Sequence, residues 1–439
     1  MSIKIDYSSK VYQAEDRNGD YYPVTYHIAD ITGDDSGNNI DGLLTLRYMR
    51  CEDVTIHGGA GNDTIGGTAE EYCQVDGGSG DDLIFIDTRQ NRDFYSAVTG
   101  GEGIDTFAFK PPSNGGISAN LATCYATAGW AIHVHIYDIE NIKGADFNDT
   151  LTGNQFANQI NGGTGNDWID GGAGSDSLFG DAGNDTMIGG GGSDQLFGGA
   201  GDDRFIAGTD NASFDGGSGR DTLDYSQNDN LNLNVDLASG IVTRMQNGAF
   251  VGIDTVNDIE NIIGAGGSDL MLGTLPNDKL YGNAGNDTIK GMAGNDILIG
   301  GEGNDIVTGG AGNDVIGLDG GGDDVFIFDR SLGRDLIINL SSANASGFDV
   351  VQFNDVSTNE IVFQRAGKDL QIAIADNSKA ITIVNWFSIV SDATHPNALA
   401  IDQFAAGDVV LDADIVNVAL AIIGEHPVSM ASLLPASVV

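Results

Sequence analysis

Between Gly162 and Phe205 the chain reads GGTGNDWIDGGAGSDSLFGDAGNDTMIGGGGSDQLFGGAGDDRF, five copies of one nine-residue phrase with an Asp at the same place in each. So strict a phase admits few folds, because a conformation open to one copy must suit them all. Asp149, Asp167, Asp176, Asp185, Asp194, Asp203 and Asp221 lie on one nine-residue grid, broken only by Asn158 and Ala212. Two residues after each grid point stands an apolar side chain: Leu151, Ile160, Ile169, Leu178, Met187, Leu196, Phe205, Phe214 and Leu223. A second grid holds Asp269, Asp278, Asp287, Asp296, Asp305 and Asp314, followed by Met271, Leu280, Ile289, Leu298, Val307 and Ile316. A looser first set contains Asp63, Asp82 and Asp105, where insertions break the phase.

Each unit reads G-G-x-G-x-D-x-U-x, with U apolar. The first six residues are turn chemistry, since glycine reaches positive φ at no steric cost. The last three form a very short strand, and alternation along a strand sends only U inward. One unit is therefore half a coil, and two units close an eighteen-residue coil. Coils stack as parallel strands about 4.8 Å apart. One coil buries too little to stand alone, so stacking is obligatory. It sets Asp167 over Asp185 and Asp185 over Asp203, with Asp176 over Asp194 on the other edge. Two carboxylates about 5 Å apart repel by about 3 kcal/mol at an effective dielectric of about 20. Such a file needs a counter-ion. Carboxylate oxygens and glycine-turn carbonyls are hard donors in a flexible cage, which suits Ca²⁺ better than Mg²⁺. His, Cys and Met are absent from these positions, which argues against zinc, copper or iron.

These units resemble the RTX (repeat-in-toxin) nonapeptides of hemolysin-type calcium-binding proteins. The resemblance implies an all-β chain: a right-handed parallel β-roll in two or three RTX blocks, with a C-terminal β-rich cap and a short helical tail. It implies several Ca²⁺ between successive turns, held by the Asp and by turn carbonyls. Carried onto this sequence, the ligands of the first block are Gly59, Gly61, Asp63, Gly78, Gly80, Asp82 and Asp105. Those of the second are Asp149, Gly163, Gly165, Asp167, Gly172, Gly174, Asp176, Gly183, Asp185, Gly190, Gly192, Asp194, Gly199, Gly201, Asp203 and Asp221. Those of the third are Asp269, Asp278, Gly285, Asp287, Gly294, Asp296, Gly301, Gly303, Asp305, Gly310, Gly312, Asp314 and Asp324. Asp181, Asn283 and Met292 replace the second glycine of their units and Ala212 removes a carboxylate, so weaker or empty sites are expected there. Near LDGGGDDVF, Asp323 keeps the grid while Asp324 fits the motif, and the roll is expected to end there.

The rest of the chain divides around these blocks. Residues 1–50 read as an N-terminal β cap, 51–110 as the irregular first RTX block and 111–143 as a β insert. Residues 144–225 are the second block, 226–263 a second β insert and 264–328 the third block. The two inserts share a frame that closes on DIENI. Residues 329–395 are short alternating strands resembling the hemolysin-type calcium-binding related domain, closing on Asn385 to Phe387, and would cap the exposed end of the roll. Residues 396–439, with spaced apolar positions in DADIVNVALAII that suit a helix, resemble the C-terminal signal of type I secretion substrates.

Composition narrows the function. The net charge of −45 argues against nucleic acid or an anionic membrane as partner and favours cations. No basic stretch followed by an apolar one opens the chain, and no apolar run is long enough to span a membrane. Cys51, Cys73 and Cys124 are too few for a disulfide framework or a zinc site, leaving at most one pairing such as Cys51 with Cys73. His133 and His135 share one strand face. A metal or catalytic role is one reading, but the second insert lacks such a pair, which favours plain surface histidines. HExxH and GxSxG are absent. The leading expectation is a secreted protein of a Gram-negative bacterium, folding on Ca²⁺ outside the cell. There it would serve as a surface-layer, matrix or adhesive component, self-associating or binding extracellular polysaccharide, after passage through the type I machinery. The alternative is a polysaccharide-modifying enzyme, or an accessory module of one, using acids off the grid: Asp138, Glu140, Asp258 and Glu260. Both DIEN copies carry these, which favours a turn role for them.

Overall fold

The computed structural model describes residues 4–15, 21–32, 39–40, 53–67, 72–87, 94–110, 115–128, 132–318, 320–339, 347–374, 379–386, 401–407, 409–413, 416 and 426–434. They form two compact units, Met1–Asp221 and Thr222–Val439. Each is a parallel β-solenoid, and the described chain is all-β apart from the helical turn Met430–Leu433 and the helical residues Ala413 and Val416.

In the first unit, one face stacks Thr150–Asn154, Trp168–Gly172, Thr186–Ile188 and Arg204–Ile206 in parallel, eighteen residues apart at each step. The other stacks Asn141–Lys143, Gln159–Thr164, Ser177–Ala182, Asp194–Ala200 and Ala212–Ser218. The strands are short because each unit supplies one inward side chain. In Trp168–Gly172 only Ile169 turns a large side chain into the core, while Trp168 is exposed. Leu151, Ile169, Met187 and Phe205 line one wall and Ile160, Leu178, Leu196 and Phe214 the other, none more than 2 % exposed. Full burial of one such side chain stabilises by about 1.5–3 kcal/mol. The core is therefore the sum of one residue per half-coil.

The earlier coils continue the first face through Asp53–Ala60, Tyr72–Ser79 and Phe94–Glu102. Where the phase breaks, a meander takes the place of a simple coil. Ile132–Tyr137 runs parallel to Phe94–Glu102, Tyr125–Ala128 returns antiparallel, and Ile117–Asn120 turns again to pair in parallel with Thr150–Asn154. The insert therefore preserves the stack.

The second unit repeats the plan. Asn261–Ile263, Lys279–Ala284, Ile297–Glu302, Val315–Leu318 and Arg334–Asn339 stack on one face. Leu270–Leu272, Thr288–Ala293, Ile306–Ala311, Val325–Phe328 and Val350–Phe353 stack on the other. Its meander, Asn232–Asp236, Ile241–Gln246 and Ala249–Asn257, carries a buried ion pair. Arg244 Nε lies 3.0 Å from Asp254 Oδ2, which also accepts from the Tyr225 hydroxyl at 2.7 Å. A charge pair this buried is tolerated only with its partners in place.

Past Phe328 the solenoid goes on. Lys379–Ile383 joins Arg334–Asn339 in parallel, and the antiparallel strands Asp369–Ile374 and Ile361–Ala366 follow it. On the opposite face Gln403–Ala406 joins Val350–Phe353 and turns back through Val409–Asp412. The expected helix in DADIVNVALAII lies largely outside the described residues, as does Cys51. Cys124 is a free thiol.

Candidate metal centre: files of buried carboxylates

Each bend of the coil places its Asp under the bend before it. The Asp149 amide donates to Asp167 Oδ1 at 2.7 Å, Asp167 to Asp185 at 2.7 Å, Asp185 to Asp203 at 2.8 Å, and Asp203 to Asp221 at 2.8 Å. On the other edge Asn158 donates to Asp176 and Asp176 to Asp194, at 2.7 and 2.9 Å. The second unit has the same two files, Asp269 to Asp287 to Asp305 to Asp324 and Asp278 to Asp296 to Asp314. The first block forms Asp63 to Asp82 to Asp105 despite its irregular spacing.

One oxygen of each carboxylate is thus spent on the ladder. The other is buried: Oδ2 of Asp82, Asp105, Asp167, Asp176, Asp185, Asp203, Asp287, Asp296 and Asp314 has no hydrogen-bond partner. A buried ionised oxygen left so is costly, by about 1–3 kcal/mol or more for a charged group. The electrostatics agree. Burial drives these carboxyls up, the amide hydrogen bond pulls them part of the way back, and neighbouring carboxylates push them up again. Asp167 and Asp203 stand at about 6, Asp176, Asp185 and Asp296 at about 7, and Asp287 at about 8.

The glycines hold the cage open. A Cβ on Gly180 would lie 2.3 Å from Asp185 Oδ2 and 2.5 Å from the Gly198 carbonyl of the next coil, so the first position of the unit admits no side chain. The second and fourth positions take positive φ, as at Gly163 (106°) and Gly165 (131°), which turns the bend carbonyls. Asp181, Asn283 and Met292 adopt the same region at 71°, 79° and 78°, so the bend survives those substitutions at a cost in backbone strain. In the unit of Ala212, Asp210 takes the fourth position and accepts from the Gly192 amide at 3.2 Å. Among the described residues no three His, Cys, Asp or Glu side chains converge as a metal cluster. The oxygens that meet at each bend are the buried carboxylate Oδ2 and glycine-bend carbonyls, a set that fits a hard, large cation such as Ca²⁺.

Two features were not legible as site elements in the sequence. The residue before each Asp, written x in the motif, forms a second ladder of opposite sense. Asn148 Oδ1 accepts from the Asn166 amide, Asn166 from Asn184, Asn184 from Asp202, and Asp202 from Arg220, at 2.9–3.0 Å. Asn, Asp and Ser alternate there because each can accept. Glu140 is not off the grid but on it, nine residues before Asp149. Its Oε2 accepts from the Asp105 amide at 2.9 Å, so it stands where an Asp stands elsewhere in the file. Asp138 takes a positive φ of 49° in the turn just before it. His133 and His135 lie on the meander, packed with Tyr125 and Tyr137.

Short parallel strands bent at glycine turns, with carboxylate files along the bends, define a parallel β-roll built from nonapeptides. The family model of the RTX calcium-binding nonapeptide repeat matches residues 52–69, 143–178, 152–187, 179–213, 188–223, 197–231, 263–298, 281–316 and 290–325, so these segments are similar to RTX calcium-binding nonapeptide repeats. The crystal structure of the extracellular lipase LipA from Serratia marcescens aligns at 17% identity over 62% of this chain, with a TM-score of 0.17. The match spans 44% of that lipase. Comparison with curated proteins finds no match. No helix among the described residues is long and apolar enough to cross a membrane.

Proposed function

We propose that this chain is a secreted calcium-binding protein whose roll assembles on Ca²⁺ outside the cell and then serves as a structural or interaction component of a surface layer, matrix or adhesive coat. The observation that carries the calcium part is the row of buried Oδ2 atoms facing glycine bends, with the partner oxygen of each carboxylate already committed to the ladder. In the low calcium of a cytosol these files repel and the chain stays open enough for the type I machinery. Outside, each occupied site adds RT ln(1 + [Ca²⁺]/Kd), about 2.7 kcal/mol at a hundredfold excess over Kd, so binding free energy is folding free energy. The structural part is supported by the fact that every described strand between Asp53 and Asp412 belongs to a coil or to a meander within one. The surface offered to a partner is thus solenoid surface, repetitive and anionic. Electron microscopy of the purified protein in millimolar Ca²⁺ tests this. Ordered sheets or filaments, or adhesion to a polysaccharide left intact, are expected. Dispersed monomers that cleave a polysaccharide would overturn the structural role.

A further inference from the structure

Past the last matched nonapeptide, which ends at residue 325, the spacing between acids loses its period. The geometry does not. The Asp314 amide donates to Asp335 Oδ1 at 3.0 Å, 21 residues on, and the Asp324 amide to Asp349 Oδ1 at 2.9 Å, 25 residues on. Asp349 in turn donates to Asp402 Oδ2 at 2.8 Å, across 53 residues. Asp335 is 2% exposed, and its Oδ2 is buried with no hydrogen-bond partner, as in the nonapeptides.

The surrounding residues reproduce the second half of the motif. Gly333 and Gly347 stand at the fourth position, where a Cβ would lie 2.0 Å from the Gly312 carbonyl and 1.6 Å from the Gly322 carbonyl. Arg334 and Phe348 stand at the fifth, their amides donating to Asn313 and Asp323 at 2.8 Å. Ile337 and Val351 fill the inward position and are fully buried. Each stretch thus keeps G-x-D-x-U without the leading glycine pair.

Resting on the calcium reading above, we propose that Asp335, Asp349 and Asp402 extend the calcium files beyond the nonapeptides, so that Ca²⁺ fastens the terminal β-rich segment to the last coils. The strands concerned are Lys379–Ile383, paired with Arg334–Asn339, and Gln403–Ala406, paired with Val350–Phe353. The terminal segment is then a calcium-dependent closure of the roll as well as a cover for its open edge.

The full-length chain is compared with the double variant Asp335→Asn and Asp349→Asn, which keeps the Oδ1 acceptors and removes the charges. Equilibrium dialysis against Ca²⁺ counts bound ions, and hydrogen exchange reads the strands. The variant is expected to bind fewer ions. Protection of 379–383 and 403–406 in Ca²⁺ should drop about tenfold or more, with the coils of 160–206 unchanged. An ion count equal to wild type overturns the extension and leaves the nonapeptide sites standing. A wild-type chain that binds no Ca²⁺ overturns the calcium reading itself. If the double variant does not fold in Ca²⁺, Asp402→Asn, at the end of the file, is judged by the same two measurements.

Discussion

At Asp185 the two oxygens of one carboxylate have separate duties. Oδ1 accepts the Asp167 amide, while Oδ2 is buried without a hydrogen-bond partner beside Gly180. Changing Asp185 to Asn keeps the first duty and abolishes the second. Because burial holds the Asp185 carboxyl at about 7, the variant should be more stable than wild type in chelator at pH 8. It should need about tenfold more Ca²⁺ to reach the folded state, since ligand charge sets affinity. Circular dichroism against free Ca²⁺ checks both signs, and a variant destabilised equally in chelator and in calcium would refute the division of duties. Gly180→Ala acts differently. Its methyl collides with Asp185 Oδ2 and a backbone carbonyl, so denaturant unfolding in Ca²⁺ should show a loss of about 1–3 kcal/mol.

At the scale of the strand, one inward residue carries each half-coil. Leu178 lies between Ile160 and Leu196 in register, fully buried. Leu178→Ala should cost about 2–5 kcal/mol in calcium-loaded protein, read by chemical denaturation. Removing Asp254 should cost about 3–5 kcal/mol by the same measurement, because it breaks a buried ion pair with Arg244. The strands show where the sequence is legible. A nine-residue phase with one apolar position per unit dictates the short strand, the inward residue and the stacking register, so the walls of the core can be named in advance. Three things resist that reading. The x before each Asp looks variable because Asn, Asp and Ser side chains can each accept an amide. Glu140 is hidden because a longer acid does the same work as an Asp. Asp335, Asp349 and Asp402 are hidden because intervals of 21, 25 and 53 residues destroy the period while leaving the bend geometry untouched. Each meander likewise preserves the stack through the pairing of its outer strands, which the sequence marks only as alternation.

For the molecule as a whole, the charge of −45 and the raised carboxyls act together. In chelator the folded roll holds protons that the unfolded chain, with aspartates near 3.8, has already released. Stability then falls as pH rises: the contribution is complete below 3.8 and is lost as pH climbs through about 6 to 8. Far-ultraviolet circular dichroism in chelator should therefore show more β structure at pH 5.5 than at pH 8. Saturating Ca²⁺ should reverse the trend, because the ion requires ionised carboxylates. A profile in chelator that gains structure with rising pH would contradict the burial of these groups. The most direct test is a calcium titration followed by sedimentation velocity and circular dichroism on the same sample at pH 8. Coupled folding predicts an expanded, largely unstructured chain in chelator that becomes compact and β-rich as Ca²⁺ is added. A chain equally compact and equally β-rich in chelator would contradict it.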